Sequence, residues 1–184
     1  MNSYPEYIEV KGKQYKINTD FRVALKCDEV SRDESIGKYE KTLAIIYMLL
    51  GDEGLEDREN HCEILNLLQK YLRCGKEIRD VDKEPSMDFK QDTGYIKASF
   101  MSDYKLDINN IELHWWLFCD LLQGLTEDSV LSRVRMIREE PLSGKKGKEL
   151  EKWIEAKSQV ELKYPKTQKE KELDEYWEKQ MKRK

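Results

Sequence analysis

The alternation of apolar and polar residues near the start of the chain predicts a β-hairpin. Apolar and polar positions alternate in Tyr7–Val10 and again in Gln14–Ile17, on either side of a Lys-Gly-Lys turn. Period-two runs around a glycine are typical of two antiparallel strands joined by a short turn. A two-stranded hairpin is only marginally stable by itself in water, so we expect it to dock on the helices that follow.

Helical spacing of apolar residues predicts three helices in the next part of the chain. The first begins after Asn18-Thr19, the second covers about Tyr39–Leu50, and the third ends at Gly75. The second helix is apolar on nearly every side, which indicates a buried central element. The charged residues 76–86 have no helical period and are predicted to form a loop.

Three more helices are predicted before Pro141. The fourth begins near Asp88, the fifth covers about Ile111–Leu125, and the sixth covers Glu127–Glu139. The apolar stripe of the fourth helix comprises Phe89, Thr93, Ile96, Phe100 and Tyr104. The predicted fold is therefore an all-α domain, residues 1–141, with a small N-terminal β-hairpin.

Residues 142–184 are predicted to form a charged helical C-terminal extension after a flexible joint at Ser143–Gly147. Pro165 divides the extension. The apolar stripe before it comprises Leu150, Trp153, Ile154, Val160 and Tyr164. A thinner stripe after it comprises Leu173, Tyr176, Trp177 and Met181. This second stripe either docks into a groove on a partner or folds back on its own domain.

Two adjacent tryptophans in the predicted fifth helix face different sides. At about 100° per residue, Trp115 joins the core face, whereas Trp116 falls among polar residues such as Glu112 and Asp120. Neighbouring residues on one helix cannot both point inward. Trp116 therefore either packs beneath the C-terminal helices or anchors a partner, since tryptophan is enriched among interface hot spots.

Two polar residues lie among the apolar residues of the same segment. His114 falls between Ile111 and Phe118, where a neutral, hydrogen-bonded core histidine is a simpler interpretation than catalysis. Asp120 has apolar neighbours, and burying an unpaired carboxylate is costly. We therefore expect Asp120→Asn to destabilise the fold. The expected partners of Asp120 are arginines of the sixth helix, Arg133, Arg135 and Arg138.

The balance of charge argues against a dedicated nucleic-acid binder. The 184 residues include 33 Lys+Arg and 37 Asp+Glu, for a formal net charge of −4. Such a chain has no global field that would hold a polyanion. The arginines of the sixth helix and nearby Lys145–Lys148 form only a modest basic patch without a recognised docking motif.

The predicted location is the cytoplasm. The chain starts without a basic segment followed by an apolar run, and no stretch approaches the roughly 20 apolar residues that span a bilayer. The cysteines have no paired spacing and are interpreted as small buried hydrophobes in a reducing compartment. They are Cys27, Cys62, Cys74 and Cys119.

The chain contains no motif that predicts catalysis. It has no Cys-x-x-Cys pair, no Gly-x-Ser-x-Gly elbow and no glycine-rich phosphate loop. The two histidines, His61 and His114, lie in plain helical contexts without an obvious nucleophile. We expect a protein that is not an enzyme and that binds no metal and no cofactor.

Several segments together resemble a bacteriophage family. They are Ile17–Arg22, Asp92–Phe100, Tyr104–Asp107, Leu113–Phe118 and Leu121–Leu125, together with Arg138. The order Asp-x-x-x-Ile-x-Ala-Ser-Phe and then Leu-His-Trp-Trp-x-Phe is a specific combination. It resembles the phage "gene product fifteen" family of siphophages and prophages from Gram-positive hosts, over about three quarters of the chain.

The resemblance implies a role in phage tail assembly. Genes of this family lie in the tail module near the tape-measure gene, which implies a chaperone that binds the tape-measure protein. The first alternative is a structural minor tail or connector protein of the virion, and the second is a nucleic-acid-binding regulator. A homo-oligomer remains open.

The resemblance also marks signature positions, and we expect most of them to serve folding. They are Asp92, Phe100, Tyr104, Asp107, His114, Trp115, Trp116 and Phe118. The candidate partner-binding residues are Trp116, Leu173, Tyr176, Trp177 and Met181.

Overall fold

The computed structural model describes residues 3–77 and 85–164. This part of the chain is mainly helical with one small β-hairpin, so the predicted fold class is confirmed. No helix within it is long and apolar enough to cross a membrane. The predicted stripe of Leu173, Tyr176, Trp177 and Met181 lies outside the described residues. The chain divides into two compact units between Glu139 and Glu140.

The first unit contains the hairpin and seven of the helices found in the described residues. The strands are β1 Tyr7–Val10 and β2 Lys13–Lys16. The helices are α1 Phe21–Arg32, α2 Lys38–Leu50, α3 Asp52–Glu56, α4 His61–Leu72, α5 Thr93–Tyr104, α6 Trp115–Gln123 and α7 Val130–Glu139. A short 3-10 helix, Arg58–Asn60, leads into α4.

The hairpin docks on the helices through its inner face, as the alternating pattern predicts. The strands are antiparallel, and the turn residues Lys11 and Gly12 have φ values of 49° and 84°. Left-handed conformations at both turn positions match the twist of a two-residue hairpin. Ile8 and Val10 are buried where β1 packs against α4. The hydroxyl of Tyr15 donates a hydrogen bond to Asp57, just before the 3-10 helix.

The core is one apolar cluster in which the hairpin meets α1, α2, α4, α5 and α6. Completely buried members contributed by these helices include Cys27, Ile46, Ile64, Leu68, Phe100 and Phe118. Burying a large apolar side chain contributes about 1.5–3 kcal/mol, so this cluster is the main stabilising term of the first unit.

Three helices begin later than predicted. They start at Thr93, Trp115 and Val130, whereas the predicted starts are Asp88, Ile111 and Glu127. The residues that precede α6 and α7 cap those helices from outside. His114 accepts the backbone N–H of Trp116, and the Ser129 hydroxyl accepts that of Ser132. Apolar spacing continues through such capping residues, so periodicity alone places the start too early.

The prediction that α2 is a buried central element is wrong for one side of the helix. Ile45, Ile46 and Leu49 are buried, but Tyr39 is 64% exposed and Tyr47 is 54% exposed. The helix packs against the domain on one side only. Met48 and Leu50 are partly buried against the same core, so Tyr39 and Tyr47 are the large apolar residues that face outward.

The cysteines differ in environment more than predicted. Cys27 and Cys119 are buried, Cys74 is half-buried, and Cys62 is exposed, which contradicts the expectation that all four are buried. Cys74 also lies outside a helix, in the turn after α4 with a left-handed φ of 52°. All four thiols are free.

The second unit contains α8, Gly147–Val160, within the predicted extension. Gly144 and Gly147 both have positive φ values in the joint that precedes it. Lys145 makes an ion pair of 2.7 Å with Glu140, and its ammonium lies 4.8 Å from the centre of the Trp153 ring. These contacts hold the joint against the first turns of α8.

Candidate functional site

The signature residues are concentrated where helix starts meet helix ends. One such place, here named the aromatic junction, comprises His114, Trp115 and Trp116 at the start of α6. The predicted position of His114 inside a helix is wrong, because it is the N-cap residue. Its Nδ1 accepts the Trp116 N–H at 3.0 Å, and its Nε2 lies 3.0 Å from the Pro5 carbonyl oxygen. A carbonyl only accepts, so the proton of the ring is on Nε2.

Both tryptophans cap the end of another helix. The Nε1–H of Trp115 donates to the Leu72 carbonyl and that of Trp116 to the Tyr71 carbonyl, each at 2.9 Å. The last carbonyls of a helix have no partner within it, and here two indoles supply donors to the end of α4. Trp115 is 5% exposed and stacks on Phe118, whereas the ring of Trp116 is half-buried.

The ring of Trp116 is held by α4, the turn after it and the N-terminal segment. It stacks on Tyr71 with 6.2 Å between ring centres and meets Tyr4 edge-on at 6.4 Å. Gly75 has a φ of 71° and lies so close that a Cβ there would be 3.3 Å from the indole. Gly75 is therefore needed for both its conformation and its small size. The pattern of α6 alone could not indicate these supports.

The start of α6 is also tied to the start of α1. The Thr19 carbonyl accepts the N–H of Trp115 at 2.7 Å, and the Leu113 carbonyl accepts the N–H of Phe21 at 3.0 Å. These bonds form an antiparallel bridge between Asp20 and His114, which are the N-cap residues of α1 and α6. Each helix thus satisfies one of its free N–H donors on the other's capping segment.

The predicted pairing of Asp120 with arginines of α7 is wrong. Asp120 is exposed and accepts a hydrogen bond of 2.7 Å from the Tyr4 hydroxyl. This hydrogen bond to a carboxylate raises the pKa of Tyr4. The arginine at the end of α7, Arg138, instead reaches Asp92, which precedes α5. Sequence pointed to the wrong aspartate, since Asp120 lies among apolar residues whereas Asp92 follows Lys90 and Gln91.

Asp92 and Arg138 form the centre of a second contact point, here named the ionic junction. Two parallel bonds of 2.7 Å and 2.8 Å join the guanidinium to the carboxylate. The Asp92 side chain is 1% exposed and that of Arg138 is 10% exposed. The Asp88 N–H also donates to Asp92, and Arg138 donates to the Ser86 carbonyl. The pair is therefore buried with additional hydrogen bonds, which is the condition for tolerating ions in a core.

A second arginine reaches the same turn from α1. The guanidinium of Arg32 lies 2.5 Å from the carboxylate of Asp88, and Asp88 is 6% exposed. Arg32 and Arg138 occupy the last turns of α1 and α7, where a positive charge is favourable to the helix dipole. Asp88 and Asp92, in the turn before α5, thus bind the last turns of α1 and α7 through ion pairs.

The remaining signature positions have structural contacts. Phe100 and Phe118 are completely buried and stack with 5.3 Å between ring centres. The Tyr104 hydroxyl donates to the Leu121 carbonyl, and burial raises the pKa of Tyr104. The carboxylate of Asp107 accepts N–H groups of Asn109 and Asn110, and these hydrogen bonds lower the pKa of Asp107.

An exposed apolar surface on α2 is the candidate interaction site that periodicity alone did not identify. Tyr39, Leu43 and Tyr47, here named the α2 stripe, follow one another at intervals of four residues on one side of the helix. Further along, Leu50 is covered by α3, where Gly54 lies so close that a Cβ would be 2.7 Å from the Leu50 Cβ. The sequence shows only that the helix is apolar all round, which favours burial, and the structure is needed to show that one side is exposed.

These contacts define a small helical protein in which several signature residues join the start of one helix to the end of another. A family model described as "Bacteriophage Gp15 protein" matches residues 1–162. The match covers most of the chain, so the protein belongs to this bacteriophage family. Membership indicates a phage structural or assembly protein. Neither curated proteins nor solved structures yield a match to the chain.

Proposed function

We propose that the protein is a non-catalytic tail assembly chaperone that binds the tape-measure protein in the host cytoplasm. In this proposal it serves tail morphogenesis of a siphophage or prophage from a Gram-positive host. The family match supports a phage assembly role. The observation that carries the proposal is the α2 stripe, because its two tyrosines are more than half exposed on an ordered helix.

The stripe suits an amphipathic helical segment of the tape-measure protein. Tyr39 and Tyr47 are eight residues apart, which is about 12 Å along a helix at about 1.5 Å per residue. Two turns of a partner helix span this length and place apolar residues at matching intervals. Tyrosine offers a large apolar ring and a polar hydroxyl, so the surface tolerates water between binding events.

Co-expression with the neighbouring tape-measure protein tests the proposal. The measurements are the soluble fraction of the tape-measure protein and its co-purification with this chain. We expect rescue with the wild type and a loss of most of it with the double variant Tyr39→Ser/Tyr47→Ser. Tyr7→Ser is the matched control, since Tyr7 is 51% exposed but lies on the hairpin. Melting temperatures of both variants check that they remain folded.

If the wild type neither rescues nor binds the tape-measure protein, the chaperone proposal is wrong. The structural alternative, a minor tail or connector protein, then predicts that the chain is found by mass spectrometry in purified particles. A tail assembly chaperone, in contrast, should be absent from purified particles.

If the α2 double variant still rescues, the contact lies elsewhere on the chain. The next candidates are Trp116 and the apolar residues of the C-terminal extension, Leu173, Tyr176, Trp177 and Met181. Trp116→Ala and deletion of residues 165–184 then separate these two surfaces by the same solubility measurement.

A further inference from the structure

A pocket, here named the α1–α5 pocket, lies between α1, α5 and the loop before α6. Its volume is about 230 Å³. Its apolar lining residues are Phe21, Leu25, Phe89, Ile96, Ile108 and Phe118. The exposed side chains of Lys97 and Asn109 also line it, so the pocket is open to solvent on their side.

The walls of the α1–α5 pocket are held in place by contacts within the domain. The guanidinium of Arg22 donates hydrogen bonds of 2.7 to 3.3 Å to loop carbonyls, those of Ile108, Asn109 and Ile111. The ring of Phe89 meets Trp115 edge-on, with 5.8 Å between ring centres. A pocket that is already formed requires little ordering when a ligand enters, which favours binding.

The size of the pocket indicates the size of its ligand. An apolar cavity of about 150 Å³ is enough to bind benzene. Pockets for drug-sized ligands measure about 300–1,000 Å³. A volume of about 230 Å³ lies between these values, so the pocket accommodates one aromatic ring and not a larger molecule. Because the chain belongs to a family of phage structural or assembly proteins, a ring carried by a protein partner fits this site best.

The charges around the pocket favour a ligand with a carboxylate. Two cations and no carboxylate are among its lining residues. Arg22 is already paired with Asp20 at 2.9 Å, whereas Lys97 is exposed and has no ion pair within the described residues. The carboxylate of Asp107, just before Ile108, accepts hydrogen bonds from two asparagine side chains of the same loop. The Lys97 ammonium is therefore available to a carboxylate of a ligand.

We propose that the α1–α5 pocket binds an aromatic side chain of a partner protein that has acidic residues next to it in sequence. The ring fills the apolar part of the pocket, and a neighbouring carboxylate pairs with Lys97 at the opening. An exposed ion pair contributes little affinity, so the ring supplies most of the binding and the charge supplies selectivity. No residue of the α2 stripe lines this pocket, so the proposal does not depend on tape-measure binding.

An NMR titration of the full chain with a synthetic peptide tests the proposal. The probe is acetyl-Asp-Glu-Phe-Glu-Asp-amide. We expect saturable shifts of the backbone amide signals of Ile96, Lys97 and Asn109, with a Kd on the order of 1 mM for a single anchoring side chain. A peptide with alanine in place of phenylalanine should not bind. A peptide with lysine in place of the four acidic residues should bind about tenfold more weakly.

Two variants locate the binding site. Lys97→Glu should weaken binding of the acidic peptide about five- to tenfold, because an attractive charge becomes a repulsive one. Lys26→Glu is the matched control, since Lys26 is exposed on α1 but does not line the pocket. Thr93→Trp places an indole in the opening of the pocket and should abolish binding. Melting temperatures check folding, and the exposed Lys97 keeps the test valid even if Thr93→Trp does not fold.

Three results would overturn the proposal. The first is equal binding of the phenylalanine and alanine peptides. The second is equal weakening by Lys97→Glu and Lys26→Glu, since that would be a general effect of charge. The third is a set of pocket signals that shift with protein concentration but not with peptide, which would mean that a second copy of the chain occupies the pocket. None of these measurements uses the tape-measure protein, so the proposed function is left to its own test.

Discussion

The ionic junction and the aromatic junction both join helix ends, but the first uses an ion pair and the second uses hydrogen bonds from neutral indoles. Each ties the start of one helix to the end of another across more than forty residues of sequence. Asp92 and Arg138 do this with buried charges, whereas Trp115 and Trp116 do it with neutral donors on large rings. A buried charge that loses its partner is heavily penalised, while a ring that loses its N–H retains most of its packing. The ionic junction is therefore the less tolerant of the two.

The largest expected effect is the loss of one member of the ionic pair. Arg138→Met leaves the Asp92 carboxylate buried without its main partner, so we expect a loss of about 3–5 kcal/mol in the free energy of unfolding. Urea denaturation measures this loss. The double variant Asp92→Leu/Arg138→Met removes both charges and should recover much of it. A double variant as unstable as the single one would show that packing, not the unpaired charge, dominates.

The next largest effects are expected at the two tryptophans, whose contributions to the free energy of unfolding can be compared directly. Trp115→Phe removes the donor to Leu72 from a buried site, and we expect a cost of about 1–3 kcal/mol. Trp116→Phe should cost less, about 0.5–1.5 kcal/mol, because the Tyr71 carbonyl also accepts the Cys74 N–H at 2.9 Å. Denaturation midpoints rank the two variants. Equal costs would mean that the half-buried indole contributes as much as the buried one.

A smaller effect concerns the cap of α6. His114→Ala removes the acceptor for the Trp116 N–H, and an N-cap lost to alanine costs about 0.5–2 kcal/mol. His114→Asn keeps an acceptor near the same position and should be closer to the wild type. Thermal unfolding of both variants measures the difference. If the two are equally destabilised, the bond to the Pro5 carbonyl matters more than the cap.

The smallest effect is expected at Asp120, contrary to the pairing that the sequence suggested. Because the residue is exposed, Asp120→Asn should change the free energy of unfolding by no more than about 0.5 kcal/mol. The same variant should let the pKa of Tyr4 fall back toward its ordinary value, since the raised pKa depends on the carboxylate. An absorbance titration of the phenolate measures this. An unchanged Tyr4 titration would contradict the hydrogen bond.

The elements of this fold follow from local periodicity, but its junctions do not. Alternation in β1 and β2 and helical spacing in α4 identify those elements correctly, because each pattern depends on neighbours in sequence. Arg138 pairs with Asp92 and not with Asp120 because Asp92 is close to it in the folded protein. The residues next to each aspartate in the sequence do not reveal this proximity. The outward face of α2 was missed for a related reason, since a helix apolar all round does not reveal which side packs.

The paired caps of α1 and α6 have a consequence for synthesis on the ribosome. Asp20 emerges early, but its bridge partner His114 is 94 positions later in the chain. At roughly 5–20 residues per second, this delay is about 5–20 s. The hairpin can contact α4 well before then, whereas the bridge closes only after α6 has left the exit tunnel. Until then, the N–H of Phe21, which bonds to the Leu113 carbonyl in the folded protein, is left to water.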